Sequence, residues 1–160
     1  MAEKYRWVVI PQDATTLEDC TFYEEGYKPS LKEMQDGVGG GRIENLPKSY
    51  WKMKGIKTIY VNEEGLWRDD FKPNFIVNQM LAGDSYVVAS QYGLLNRDFG
   101  VHMTVVEKAF ENMYMNAFGQ GMKIIGPCVA QIKVSALKKA IDTLHITSDF
   151  VKRKFVYSQL

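Results

Sequence analysis

Three consecutive glycines, Gly39 to Gly41, constrain the fold of this chain more than any other feature of its sequence. Glycine tolerates positive φ angles and close backbone approach, so three in a row indicate a special geometry where a short helix passes into an extended segment. A glycine-rich turn can also bind phosphate, but the dinucleotide and P-loop patterns place their glycines after a strand and before a helix. Because the order here is reversed, the segment Val38–Glu44 favours a structural crossover over a phosphate site.

The length and composition are typical of one domain with a substantial core. The chain has 160 residues, of which 46% are hydrophobic, and this favours a globular protein over a disordered one. No run approaches the roughly 18 apolar residues of a membrane span, and the N-terminus leads directly into a strand-like segment. We therefore expect a soluble, cytoplasmic protein. Cys20 and Cys128 have no metal-type spacing, and free thiols suit such a compartment better than a bridge.

The net charge of +1 conceals two segments of opposite charge. Residues 12–36 contain seven acidic residues and two lysines, whereas residues 122–160 contain seven basic residues and two aspartates. Such segments could form complementary faces within one monomer or between copies, so a homo-oligomer is one possible form. Solvated charged surfaces are the commoner explanation of charge runs.

Local signals predict the elements of the first half of the chain. Aromatic and β-branched residues at 5–10 predict a buried first strand. A capping box, Ser30 with Glu33, predicts a short helix from about Leu31 to Asp36 that ends at Gly37.

Two extended segments follow the glycines, Arg42–Glu44 and Ile56–Asn62, and we expect them to be neighbouring strands. In the turn after the second segment, Gly65 is predicted to take the left-handed position of a hairpin with a bulge. Acidic residues before Pro73 then predict a helix entry over residues 69–74, with Pro73 in the first turn.

The second half is predicted to begin with an insertion at residues 84–122, containing a strand at Ser85–Ser90 and a helix near Thr104–Ala117. Residues 123–132 predict a strand that Gly126-Pro127 bends or places at an edge. Ser135 is predicted to cap a final helix. The apolar stripe of that helix consists of Leu137, Ala140, Ile141 and Leu144.

Taken together, these elements predict an α+β fold in a single domain, residues 1–160. The expected architecture is a small mixed or mainly antiparallel sheet covered by about four helices, with the insertion packed at one side. Residues 149–160 form a basic tail.

Four motifs occur in order between Trp7 and Val134. They are Leu31–Glu44 with its Val-Gly-Gly and Ile-Glu pairs, Val61–Gly65 with the sequence Val-Asn-Glu-Glu-Gly, Pro73-Asn74, and Ile124–Pro127. In this order they resemble a family found mainly in bacteriophages and catalogued as domain of unknown function 3846. The resemblance implies a phage accessory protein in the host cytoplasm, and the family name assigns no activity.

Two regions depart from the family pattern. Gly41-Arg42 stands where the family usually has an aromatic residue, and residues 84–122 are longer than the usual connection. Any family function that involves those regions is therefore not carried over to this chain.

The connection between the two central extended segments, Lys48–Lys57, mixes lysines with Tyr50 and Trp51. These rings could stack on nucleic-acid bases while the lysines contact phosphates. In the alternative, which we favour slightly, the aromatic side chains fold onto the core and the lysine stems lie along the surface. The full set of candidate binding residues, for a ligand or nucleic acid, is Gly40, Gly41, Arg42, Glu44, Lys48, Tyr50, Trp51, Lys52, Lys54, Asn62 and Asn74.

Patterns for catalysis and metal binding are weak. Glu44, Glu63 and Glu64 would converge if the two strands pair, but exposed carboxylates near a turn are far commoner than a catalytic pair. Neither His102 nor His145 has a metal-ligand spacing. We therefore predict no catalytic residue, no metal site and no cofactor.

The family resemblance, together with the lack of an assembled catalytic motif in the sequence, implies a non-enzymatic phage accessory protein that binds a host or defence component, macromolecule or small ligand, and modulates it by occupancy. The second hypothesis is nucleic-acid binding through residues 48–57, and the third is a small nucleotide-handling enzyme. No membrane partner is expected.

Overall fold

A computed structural model describes residues 3–51, 53–82 and 124–145. Several predictions lie outside these residues: the insertion at 84–122 with its strand and helix, and the basic tail at 149–160. The candidate binding residue Lys52 lies outside them as well.

The described residues are built around a five-stranded sheet. Its strands are β1 (Tyr5–Ile10), β2 (Thr21–Phe22), β3 (Ile43–Asn45), β4 (Ile56–Asn62) and β5 (Cys128–Lys133). They lie side by side in the order β2-β1-β5-β4-β3, and every neighbouring pair is antiparallel. The predicted α+β class is therefore confirmed, and the expected pairing of β3 with β4 is confirmed with it.

Three helices accompany the sheet in the described part of the chain, where about four were expected. They are α1 (Leu31–Gly37), α2 (Phe75–Ala82) and α3, which covers residues 134–145. The capping box of α1 forms as predicted: the Glu33 backbone N–H donates to Ser30 Oγ at 3.1 Å, and the Ser30 N–H donates to Glu33 Oε1 at 3.0 Å. These bonds satisfy amides that the first turn of a helix leaves without partners.

Alternating side chains give the sheet two packed faces. Val8 and Ile10 of β1 belong to the main core, to which α2 and α3 also contribute, including the predicted α3 stripe of Leu137, Ala140, Ile141 and Leu144. On the opposite face, Trp7 packs with Val129 of β5 and with Met34 and Val38 from α1 and its C-terminus. Burial of these apolar surfaces stabilises the fold at roughly 25 cal/mol per Å².

Among the described residues, α1 covers only part of this face of the sheet. Seven helical residues are about 10 Å long, whereas the six residues of β1 span about 20 Å. Tyr5, at the start of β1, is 37% exposed, so the prediction of a buried first strand is wrong at this end. The described part of the chain leaves an area of sheet beside Tyr5 uncovered.

Two predicted turn and helix boundaries are wrong because distant contacts determine them. Gly65 does not have a positive φ and begins a short 3-10 turn, Gly65–Trp67, instead of a hairpin. A Cβ atom there would lie 2.7 Å from the Ile125 carbonyl oxygen, so close approach explains this glycine. Helix α2 begins at Phe75, directly after the predicted entry segment, and Pro73 lies before the first turn instead of within it because it forms a bridge to Ile125.

Two further corrections concern β5 and α3. β5 begins only at Cys128, after Gly126 with its φ of 99°, and it lies at the centre of the sheet and not at an edge. Ser135 lies inside α3 instead of preceding it. Its backbone N–H donates to Glu3 Oε2 at 3.0 Å, so the acceptor for this first turn comes from the N-terminal segment.

Candidate functional site

The glycine loop is held by a buried side chain of the protein itself. Gly39, Gly40 and Gly41 have φ angles of 92°, 91° and 96°, a region that side chains disfavour. Asn62, only 4% exposed, donates from Nδ2 to the carbonyl oxygens of Val38 at 3.0 Å and Gly40 at 2.6 Å. The candidate residues Asn62 and Gly40 are thus brought together, and their polar groups satisfy one another.

An arginine and an aromatic ring support the same loop from the other side. Arg68 donates to the Gly39 carbonyl oxygen at 3.1 Å and lies over the Phe71 ring, 4.2 Å from its centroid. Two hydrogen bonds from Arg68, at 3.0 and 2.8 Å, lower the pKa of Asp70. Cβ atoms on Gly39 and Gly126 would lie 2.6 and 2.7 Å from the Phe71 ring. The ring therefore occupies space that only glycines leave open.

Asn74 is completely buried and caps α2. Its Nδ2 donates to the carbonyl oxygens of Ile10 and Gly126, both at 3.0 Å, and its Oδ1 accepts from the Val77 N–H at 3.1 Å. Every polar atom of the side chain has a protein partner. The structure consequently places this candidate binding residue within the core.

The other candidate residues are spread over the surface. Gly41, Arg42 and Glu44 are exposed at the start of β3 and along it. Opposite Glu44 lies Val61, and the Glu63 N–H donates to the Arg42 carbonyl oxygen. Within the described ranges, no group of three or more His, Cys, Asp or Glu side chains could hold a metal ion.

The connection from Lys48 to Lys54 divides its side chains between surface and core. Lys48 and Lys54 are exposed and Tyr50 is 38% exposed. Trp51 instead packs against the main core. One aromatic ring of the predicted stacking pair is therefore accessible, and the other has a structural role.

A groove of about 470 Å³ lies on the uncovered area of the sheet. Three of its eight lining residues are cationic and none of the eight is acidic. The lining consists of Tyr5, Arg6, Trp7, Gly26, Tyr27, Lys28, Lys57 and Gln131. The volume falls in the range of roughly 300–1,000 Å³ that is typical of small-molecule sites.

Strand register builds the sheet side of the groove. Trp7 and Gln131 lie opposite each other across β1 and β5. Between β4 and β5 the register shifts between Ile56 and Thr58, which makes Lys57 the extra residue of a bulge. Bulges redirect side chains, and Lys57 reaches the Tyr5 ring, with its Nζ 5.8 Å from the ring centroid.

The turn at Glu24–Tyr27, which precedes α1, forms the side of the groove opposite the sheet. The Tyr27 N–H donates to the Glu24 carbonyl oxygen, and Gly26 has a φ of 81°, as the third residue of a type II turn requires. The Tyr27 hydroxyl donates to Glu33 Oε1, the carboxylate of the α1 capping box. The Ser30 N–H, and after it this hydroxyl, lower the pKa of Glu33. The capping box that begins α1 therefore also holds the Tyr27 ring at the groove.

Sequence reasoning missed the groove, although one signal was available. Along β5, Val129, Gln131 and Lys133 alternate with Cys128, Ala130 and Ile132. Such alternation indicates a strand whose second face becomes polar toward one end. The positions from β1 and β4 could not be added without the strand order.

Neither cysteine has the environment of a reactive thiol. Both are free and buried. Burial, with smaller effects from the charges of Asp19 and Glu18, raises the pKa of Cys20 to about 11, and burial raises the pKa of Cys128. Because the thiolate is the nucleophile, both should be poorly reactive at neutral pH.

We expect the folded protein to react with a maleimide at pH 7 roughly a hundredfold or more slowly than the variant Thr21→Cys, whose new thiol is at an exposed position. The rate for Cys20 should rise as the pH approaches 11, and denaturant should expose both native thiols. Mass spectrometry of the intact protein at successive times measures the rate of labelling. Rapid labelling of the folded native chain at pH 7 would contradict the burial of Cys20 and Cys128.

Among the described helices, none is long and apolar enough to cross a membrane. Comparison of the chain with protein-family models, curated proteins and solved structures gives no match. The resemblance to domain of unknown function 3846 accordingly stays a prediction from the sequence motifs.

Proposed function

We propose that this is a non-enzymatic binding protein that captures a small ligand in the groove and modulates a host or defence component by occupancy. The observation that carries the proposal is the groove itself, with exposed tyrosines and cationic side chains on a face that α1 leaves open. Its volume lies within the usual range of small-molecule sites, and its lining combines aromatic with cationic side chains. The motif resemblance supports a phage accessory role in the host cytoplasm.

In this proposal the glycine loop and the buried asparagines stabilise the fold and do not contact the ligand. Asn62 and Asn74 use their amide groups on backbone atoms of the protein. Ligand contacts then fall to the groove residues. Arg6 stabilises the wall of the groove, because its guanidinium donates to the Tyr23 carbonyl oxygen at 2.7 Å and lies over the Phe22 ring.

The test is retention of small molecules from an extract of phage-infected bacteria. Immobilised protein is incubated with the protein-free fraction, washed and denatured, and released compounds are quantified by mass spectrometry. We expect one compound at a ratio near one per chain, chemically unchanged, with about tenfold less on Tyr5→Ala. Tyr50→Ala is the matched control, because Tyr50 is 38% exposed and Tyr5 is 37% exposed.

Two results would contradict the proposal. Conversion of the compound by catalytic amounts of protein would indicate an enzyme. Equal retention by the wild type and Tyr5→Ala would place binding elsewhere.

Nucleic-acid binding through residues 48–57 is the second candidate. The exposure of Tyr50 beside exposed Lys48 and Lys54 favours it. The same pair of variants separates the two, because single-strand binding that is lost in Tyr50→Ala and kept in Tyr5→Ala would favour this second surface.

A further inference from the structure

We propose that the occupant of the groove is a free nucleotide, with its base against the tyrosine rings and its phosphate among the lysines. This inference rests on the proposed function, since it names the chemical class of the small ligand. It draws on three features: the aromatic rings of the lining, one polar side chain of the lining, and two lysines beside the Tyr5 ring, of which Lys57 lines the groove.

Aromatic rings are presented on both sides of the groove. Tyr5 on the sheet side is 37% exposed and Tyr27 on the turn side is 45% exposed. Between them the floor contains Trp7, which is fixed by stacking on Tyr60 with centroids 6.1 Å apart and planes inclined by 17°. Exposed, preorganised rings are surfaces on which any nucleobase can stack.

Two ammonium groups converge on the same ring without a salt-bridge partner among the described residues. Lys57 Nζ and Lys133 Nζ lie 5.8 and 5.4 Å from the Tyr5 ring centroid. Glu3 accepts hydrogen bonds from Ser135 and its charge interacts with that of Lys133 without forming a salt bridge, and Glu25 lies 3.9 Å from Lys4. A phosphate group between the lysines would neutralise their mutual repulsion.

Gln131 supplies hydrogen-bonding capacity to the floor. It lies between Trp7 of β1 and Thr58 of β4 in the sheet register. Its side-chain amide lines the groove and has no hydrogen-bond partner within the described part of the chain. An amide offers a donor and an acceptor side by side, and the edge of a nucleobase presents the complementary pair. A fully deprotonated inorganic anion could use only the donor of this amide and would leave its acceptor oxygen without a partner.

The dimensions favour one nucleotide over a strand of nucleic acid. The groove has about 470 Å³ and is bounded on one side by the turn at Gly26. A site for single strands instead follows the backbone over several nucleotides with successive stacking rings. We therefore commit to the free nucleotide.

The experiment is isothermal titration of the purified chain with the monophosphates of adenosine, guanosine, cytidine and uridine. We expect saturable 1:1 binding of at least one of them, weakened by added salt. The corresponding nucleoside and inorganic phosphate should each bind at least about tenfold more weakly, because each lacks one half of the interaction.

Substitutions inside and outside the groove distinguish binding in the groove from non-specific attraction to positive charge. Tyr5→Ala and Lys57→Gln should each weaken binding about tenfold. Tyr50→Ala and Lys138→Gln, at an exposed position of α3, should bind like the wild type. Matching thermal unfolding curves show that the variants remain folded.

Three outcomes would overturn the inference: no saturable binding of any monophosphate, equal affinity for inorganic phosphate alone, or much tighter binding of a single-stranded oligonucleotide with the same sensitivity to Tyr5→Ala. Failure here is distinguishable from failure of the proposed function. If the extract experiment retains a different small molecule through Tyr5, only the nucleotide is wrong, whereas retention of nothing removes both.

Discussion

Replacing Asn74 with alanine should lower the free energy of unfolding by roughly 3–5 kcal/mol, because it removes a helix cap and takes the amide donor away from two buried carbonyl oxygens. The side chain is 0% exposed and joins three parts of the fold. Its amide nitrogen donates to the carbonyl oxygens of Ile10 at the end of β1 and Gly126 before β5, and its oxygen accepts from a backbone N–H in the first turn of α2. No water can replace these bonds without opening the core.

Chemical denaturation of the wild type and variants measures this effect. The matched control is Asn45→Ala, since Asn45 is exposed on β3 and accepts one hydrogen bond from Thr58 at 3.1 Å. It should cost less than about 1 kcal/mol. Asn74→Asp retains the cap acceptor but turns a donor into a carboxylate facing two carbonyl oxygens, so it should be at least as destabilising as Asn74→Ala. Equal costs for Asn74→Ala and Asn45→Ala would show that the buried amide adds no net stability.

The elements that sequence predicted well are those whose signals are local. Helix α1 begins after Ser30 and includes Gly37, as the capping box and the glycine indicate, because the partners lie three residues apart. The stripe of α3 follows from its 3.6-residue period. Such contacts form within one or two helical turns, so neighbouring residues suffice to predict them.

Elements fixed by distant partners were misplaced. The start of α2 depends on Asn74, whose partners Ile10 and Gly126 are 64 and 52 residues away. The groove depends on β5 lying between β1 and β4, which brings Tyr5 opposite Lys133. At 48–57 the slightly favoured interpretation, in which the aromatic side chains fold onto the core, agrees with the packing of Trp51 but not with Tyr50, which is 38% exposed.

The glycine loop offers a matched pair of substitutions that differ in one physical variable. Gly39 and Gly40 have φ angles of 92° and 91°, so a side chain at either position would have the same disfavoured φ. The space around them differs: a Cβ on Gly40 would meet nothing within 4 Å, whereas a Cβ on Gly39 would lie 2.6 Å from the Phe71 ring. Comparing the two variants therefore isolates the packing contribution.

We expect Gly40→Ala to cost about 1–3 kcal/mol, the usual range for backbone strain. Gly39→Ala should cost a further 1–3 kcal/mol or so, because the ring must move against Gly126 and Arg68. Denaturant midpoints of both variants give the difference. Repeating the pair in a Phe71→Leu background removes the ring, and there the difference between the two alanines should shrink to the smaller contribution of Pro127, whose Cγ would lie 3.3 Å from a Cβ on Gly39. If Gly39→Ala and Gly40→Ala lower the free energy of unfolding equally with Phe71 present, the ring moves aside at no measurable cost. In that case only the backbone conformation requires glycine at position 39.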